Sequence, residues 1–309
     1  MPTRRTVLSA AAAAAAALAA EGLARGLGGP LAGPLAGALG QPSGGAGGEL
    51  AVGRSEASAS GRPARSAGGG GERLTRARAV ADFGGRRPRQ WGLRTSGAIT
   101  SAGPRAVSAG RVVLTFDACG GPAGSGYDAA LIGTLRRLRV PATLFLNARW
   151  IAANRSQTRE LAADPLFKLA SHGWRHLPLS VSGRSAYGIR GTGSVAQAYD
   201  ELTGATPALE AVTGTRVRWF RPGTAYCDEV AAALAHRIGT PVVGFSVNGD
   251  AGATFSPAQV ASAVGAARPG DIVIAHLNHP AGGTARGYAR ALPRLLDAGV
   301  RFGHLDPRR

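Results

Sequence analysis

The stretch "RVVLTFDACGG", residues 111–121, runs through apolar and β-branched side chains and then meets a carboxylate, Asp117. A short apolar run with that ending reads as a buried strand that delivers a polar group to one end of a sheet. Downstream, "YDAALIGTLRRLRV" has the period of an amphipathic helix opened by Asp128, and "ATLFLN" (142–147) is strand-like again. The alternation persists. Strand-like "VRWF" (217–220), "PVVGFSV", "DIVIAH" and the closing "VRFGHL" stand among helical patterns. Those helices are "QTRELAAD", "SVAQAYDELTGATPALEAVTG" broken near Pro207, "DEVAAALAHRIG", "SPAQVASAVGAA" capped by its serine, and "ARGYARALPRLLDAG". Strand and helix in turn demand a parallel sheet covered by helices. About six or seven such units suggest an α/β fold built as a distorted, incomplete (β/α) barrel. An open doubly wound sheet is the competitor, which periodicity does not separate.

The chain ahead of this region has another character. Arg4 and Arg5 precede an apolar run over positions 7–20 that is too short to span a bilayer and is followed by small residues. Residues 1–25 therefore read as a twin-arginine-like export signal, predicting an extracellular or cell-envelope location with no transmembrane span once the signal is removed. Residues 26–90 are Gly, Ala, Pro, Ser and Arg with hardly an aromatic ring. That composition reads as a disordered linker, because it buries too little apolar surface to offset chain entropy. Residues 91–309 remain as one sizeable domain.

The 36 basic and 18 acidic residues give a formal charge of +18. Positions 1–90 hold 12 basic and 5 acidic residues, +7, which leaves 24 and 13, +11, for the domain. Such a field attracts polyanions or cell-wall polymer non-specifically. The basic residues are scattered and no aromatic residues interleave with them, so a specific nucleic-acid reader is not supported. Two cysteines, Cys119 and Cys227, allow one disulfide at most, and without a C-x-x-C there is no zinc ribbon.

The chemically capable residues share one kind of position. Asp117 follows the first strand, Arg221 follows "VRWF", and Asn248 and Asp250 follow "VGFSV". His276 ends "DIVIAH", and His172 and His176 follow the short apolar "FKLA". In α/β barrels the carboxyl ends of the strands open onto one face, where active sites assemble. Two neutral imidazoles and a carboxylate make three protein ligands and leave a coordination position for water. His172, His176 and Asp117 are that set, and a divalent metal ion, zinc first, is the expected cofactor. Such an ion activates water and polarises a carbonyl. Amide hydrolysis also needs a base and an acid; Asp117 and His276 are the candidates, with Arg221 and Asp250 to support them. Neither H-E-x-x-H nor G-x-S-x-G occurs, which disfavours a metalloprotease or serine hydrolase of those types.

In order and spacing these motifs resemble the polysaccharide deacetylases with a NodB-homology domain, carbohydrate esterase family 4, over roughly residues 90–309. "LTFDACGG" is similar to the family's T-F-D-D-G, "HGWRH" to H-S/T-x-x-H, "FRPG" to R-x-P, "FSVNGDAG" to D-x-x-D-W and "IVIAH" to L-x-x-H. The resemblance implies a distorted (β/α) barrel and metal-dependent removal of acetyl groups from an N-acetylated glycan. It further implies Asp117 as general base, His172 and His176 as metal ligands and His276 as general acid, with Arg221 bracing Asp117 and Asp250 tuning His276.

The pattern also departs from the family. Ala118 stands where the family has a metal-binding aspartate, so the third ligand is open among Asp117, a Cys119 thiolate, Asp128 and water. Gly173, Gly223, Asn248 and Gly252 are further changes, and Asp250 sits one residue early. The change at Ala118 makes a metal-free, non-catalytic carbohydrate-binding relative the alternative reading. His279 and His304 read as ordinary residues and His236 as a helix-surface residue. Trp174 and Tyr226 read equally as sugar-stacking or shielding rings. Cys119 reads as a ligand, a disulfide partner of Cys227 or a small packed residue.

Overall fold

The computed structural model describes residues 73–305. Their main sheet has six parallel strands: β1 (Arg111–Ala118), β2 (Ala142–Leu146), β3 (Phe167–Ser171), β4 (Val247–Asn248), β5 (Ile272–His276) and β6 (Arg301–Gly303). The order is β3-β2-β1-β5-β4, and β6 pairs with the start of β1. β1 is central, and it is buried from Val112 to Ala118 because helices and barrel interior cover both its faces. Single parallel bridges carry the sheet on from Ser171 to Phe220 and from Phe220 to Val242. The segment 242–248 then leads into β4, so the path of pairings closes a distorted barrel. The strand expected at 217–220 shrinks to the bridges at Phe220. Its neighbours in sequence and in the barrel include Pro222 and Pro241, which have no N–H with which to extend a ladder.

Six helices matter for the site: α1 (Arg76–Phe83), α2 (Ala129–Arg137), α3 (Val195–Thr203), α4 (Glu229–Ile238), α5 (Pro257–Gly265) and α6 (Thr284–Asp297). Their ends follow the local chemistry of the chain. Asp128 caps α2 by accepting from Leu131 N at 2.9 Å, and Ser256 forms a capping box with Gln259 at the start of α5. Gly239 ends α4 in the left-handed region, φ +93°. α3 stops at Gly204, ahead of Pro207 in the next helix. α5 and α6 cover the outer face of the sheet, where Tyr288 meets Phe116 with ring centroids 5.0 Å apart.

Residues 76–83 fall inside the segment read as linker, yet they form α1. Leu74, Ala79 and Phe83 are buried with Leu202, Phe220, Leu234 and Val242 in a second apolar cluster. The ordered domain thus reaches back at least to residue 73, not residue 91. Composition hides this because three apolar anchors are diluted among arginines. Those arginines are themselves paired: Arg73 with Glu210, Arg76 with Asp200 and Arg78 with Asp82. The export signal and the rest of the linker lie outside the described residues. Among the described residues no helix is long and apolar enough to cross a membrane.

Phe83→Ala is expected to lower stability by about 3 kcal/mol through loss of a buried ring. The measurement is the denaturant midpoint at unchanged slope; an unaltered midpoint would return this segment to the linker.

Candidate functional site

Asp117 on β1 and His276 on β5 are directly opposite in register, so their side chains leave the sheet on the same face. Two strands from β1, His172 follows β3, and its N–H donates to Leu146 O at 3.0 Å, fixing where the loop leaves the barrel. The segments that carry Asp117, His172, Arg221, Asp250 and His276 meet at one rim.

Arg221 is fully buried and organises half of this rim. Its Nη1 donates to Asp117 Oδ1 and to Thr115 Oγ1, each at 2.8 Å. Nε donates to Val243 O at 3.1 Å and Nη2 to Gly244 O at 2.9 Å. The guanidinium carbon lies 4.2 Å above the Phe145 ring. Its backbone carbonyl accepts from His172 Nδ1 at 3.0 Å. That bond puts the His172 proton on Nδ1 and turns Nε2 toward Asp117 Oδ2, 3.7 Å away, and Cys119 Sγ, 3.8 Å away. Burial disfavours the His172 imidazolium, but Asp117 and Cys119 outweigh it and raise the pKa.

The other half centres on His276. Its Nδ1 donates to Asp250 Oδ1 at 2.9 Å, while Asp250 Oδ2 accepts from His276 N at 2.7 Å and from Thr284 Oγ1 at 3.0 Å. Burial pushes this imidazole toward neutrality, yet Asp250 and Cys119 prevail and hold its pKa well above the usual histidine range. The early position of Asp250 is therefore no obstacle. Asn248 Oδ1 accepts from Ala251 N at 2.8 Å and turns the loop so that Asp250 reaches back.

His176 stands at φ +64°, a conformation costly for a residue with a side chain. Its ring meets that of His172 edge to face, centroids 4.8 Å apart. Its Nε2 is shielded from solvent and takes no hydrogen bond. The donor atoms of His172, His176 and Cys119 lie within 4.8 Å of one another, a spacing that suits ligands gathered around a cation. Burial opposes ionisation of Cys119, but His176, His172 and His276 overcome it and keep the thiol well below its usual pKa.

Several supporting residues were not singled out in the sequence. Glu201 on α3 is buried and accepts from Arg175 N at 2.9 Å and Leu177 N at 3.2 Å, clasping the loop that carries His176. Burial raises its pKa, and those N–H groups offset part of the cost. It occupies the apolar phase of its helix with Val195, Ala198 and Leu202, a carboxylate where a hydrophobe belongs, and that was the available signal. Asn147 Nδ2 donates to the carbonyls of His172 and Gly173 at 2.9 Å each. His279, read as ordinary, lies beside His276 with ring centroids 6.4 Å apart, and it lines a cavity of about 610 Å³ with Ser125, Gly126, Asn278 and Pro280.

Other candidates resolve differently. Asp128 caps α2 and does not join the imidazoles. Cys119 and Cys227 are both free, which removes the disulfide reading. Cys227 Sγ contacts Thr95 Oγ1 at 3.0 Å, and burial pushes its thiol up to about 11. His236 is exposed on α4 as expected. Trp174 is exposed with Arg175 stacked 4.2 Å above it. Tyr226 packs against Trp91 and Tyr187, centroids 5.8 and 5.3 Å away.

A parallel barrel whose rim gathers imidazoles, a thiol, a guanidinium-braced carboxylate and a carboxylate-backed histidine has the groups of a hydrolytic metal centre. Residues 105–243 match the polysaccharide deacetylase family model, the family that the motif order resembles. Solved structures share the fold. BA3943, a CE4 family pseudoenzyme from Bacillus anthracis, is 22% identical with a TM-score of 0.53, the match covering 63% of each chain; this chain thus spans under two thirds of that protein. A family 4 carbohydrate esterase from Streptomyces lividans in complex with acetate is 25% identical at a TM-score of 0.53, over 64% of this chain and 94% of that one. The Bc1960 peptidoglycan N-acetylglucosamine deacetylase is 20% identical at a TM-score of 0.56, over 68% of this chain and 91% of that one. No curated protein matches the chain.

Two measurements check this geometry. Gly173 has φ +83°, and a Cβ there would collide with Glu201 Oε1. Gly173→Ser should therefore cost about 1–3 kcal/mol, and Glu201→Ala should recover part of that loss in the double variant. In metal-free protein, Asp250→Asn removes the charge that favours the His276 imidazolium, so NMR should find this ring titrating at lower pH than in the parent.

Proposed function

We propose that the protein is an exported, metal-dependent deacetylase that removes acetyl groups from an N-acetylated glycan. The observation that carries this reading is the convergence of Asp117, His172, His176 and His276 on one rim, where Arg221 anchors Asp117 and His172 and Asp250 anchors His276. His172 and His176 would hold a divalent ion, zinc first, with a third donor from Asp117 or its neighbour. The unpartnered, shielded Nε2 of His176 and the turned Nε2 of His172 fit that role. When bound, such an ion supplies Lewis acidity toward water and an acetyl carbonyl.

The chain's own groups supply the proton transfers. Arg221 and Thr115 restrain the base: Arg221 occupies Asp117 Oδ1 and leaves Oδ2 directed at the rim to accept a proton from attacking water. Asp250 engages Nδ1 of His276 and leaves Nε2 to deliver a proton to the departing sugar nitrogen. Asp250 raises the pKa of that ring and so favours its charged form, the state an acid requires. The cavity lined by His279, whose ring neighbours that of His276, offers room for the sugar. Export by the twin-arginine route, read from residues 1–25, would deliver the enzyme to envelope glycans, and the excess of arginines would favour retention on an anionic wall.

The change at Ala118 favours one second reading, a non-catalytic glycan binder that holds no metal. Acetate release from N-acetylated chito-oligomers or peptidoglycan fragments separates the two. Activity should vanish with chelator and return with zinc or cobalt. Asp117→Asn and His276→Ala should each lower kcat by about 10²–10⁴. Sugar binding without acetate release under any metal would establish the binder.

A further inference from the structure

The departure at Ala118 has a structural counterpart one residue on. Side chains alternate along β1, so Ala118 points outward with Leu114 and Phe116 into the helix-covered core, whereas residue 119 returns to the rim beside Asp117. Cys119 is held there. Ala118 O accepts from Asn147 N at 3.0 Å, and the chain then turns away through Gly120 and Gly121 at φ +70° and +83°. A Cβ at Gly120 would collide with the backbone of Trp150, so this turn sits flush against the short helix Ala148–Ala153 that follows β2. The result is a thiol 3.8 Å from His172 Nε2, inside the 4.8 Å cluster that includes His176. Asp117, in contrast, has one oxygen committed to Arg221.

We propose that Cys119 is the third protein ligand: its thiolate holds the cation together with His172 and His176, and Asp117 is left as the base. The proposal rests on the deacetylase reading for the presence of a cation, and it replaces the carboxylate of the family pattern with sulfur. Charge is conserved, since one anionic donor replaces another when the S–H proton is released on binding. Selectivity is not conserved. A thiolate and two imidazoles favour zinc or cobalt over magnesium, calcium or manganese. The centre also becomes sensitive to thiol reagents, which a carboxylate site is not.

Cobalt(II) titration of the purified protein tests this without reference to turnover. The native protein should bind one cobalt and show a near-ultraviolet thiolate-to-cobalt charge-transfer band. Cys119→Ser should lose that band and weaken cobalt binding by at least the about 10–100-fold typical of losing even an outer-sphere partner. A second arm uses the native protein alone. Zinc should slow alkylation of Cys119 by iodoacetamide; Cys227, buried against Thr95, is the unreactive internal control. One bound cobalt with no thiolate band, and alkylation indifferent to zinc, would overturn the sulfur ligand while leaving the deacetylase reading intact. Failure of the native protein to bind either metal would overturn both.

Discussion

A guanidinium with no access to water sits in the throat of the barrel, and most of the site is arranged around its needs. Taking such a charge out of water costs several kcal/mol unless its donors are matched. Arg221 finds its acceptors on two staves, Thr115 and Asp117 on β1 and the carbonyls of Val243 and Gly244 on the segment leading to β4. Its backbone is tied in as well, with its N–H on Ser171 O and its carbonyl on the His172 ring. One residue thus restrains the Asp117 carboxylate, selects the tautomer of the His172 imidazole and stitches the part of the barrel where strand pairing is thinnest. A lysine would not replace it, since a single ammonium has no planar fork with which to span those directions.

The second constraint is the loop that carries His176. A non-glycine residue at φ +64° persists only when its surroundings over-determine it. Here Glu201 accepts from the loop N–H groups, and Gly223 N–H donates to Leu177 O. A Cβ at Gly223 would run into the backbone of His176, just as one at Gly173 would meet Glu201. Two of the glycines that depart from the family pattern are therefore consequences of one packing solution. Gly173 makes room for a buried carboxylate, and that carboxylate fixes the loop that aims the second imidazole. The two changes thus act on the same loop through contact.

What could be read from the sequence was what one-dimensional spacing encodes. Buried runs marked β1, β2, β3 and β5, and polar residues at their ends marked Asp117, His172 and His276. Asp128, Ser256 and Gly239 marked helix ends because capping is local chemistry. The closure of the barrel was not legible. It depends on single bridges at Phe220 and Val242, with no ladder behind them and so no periodicity. α1 was hidden because it draws stability from α3 and α4, far along the chain, and not from its own arginine-rich composition. Glu201 acts on a loop 24 and 26 residues away, a relation that only folding creates. Cys119 was visible as a candidate, but sequence alone left it level with Asp117 and Asp128. The pleat brings both Asp117 and Cys119 to the rim, Arg221 engages Asp117, and Asp128 is spent on capping α2.

That pleat also bears on how a metal centre survives loss of a ligand. A donor deleted from a helix face has no substitute nearby in sequence, since the adjacent residue points about 100° away. At the frayed end of a strand the geometry is more forgiving. Asp117 and Cys119 share a face two residues apart, and both lie within reach of His172 Nε2 at 3.7 and 3.8 Å. With Cys119 as the proposed ligand, these two residues divide the labour that a pair of aspartates performs in the family pattern. The division follows from the neighbours. The side chain beside Arg221 is restrained at one oxygen and keeps the other for a proton, whereas the one among three imidazoles is a soft donor with no such restraint. Exchanging them would put a thiol, a weak acceptor, beside the guanidinium and a carboxylate where a soft sulfur donor now faces the imidazoles. The order Asp-Ala-Cys is thus the arrangement that the positions of Arg221 and His176 call for.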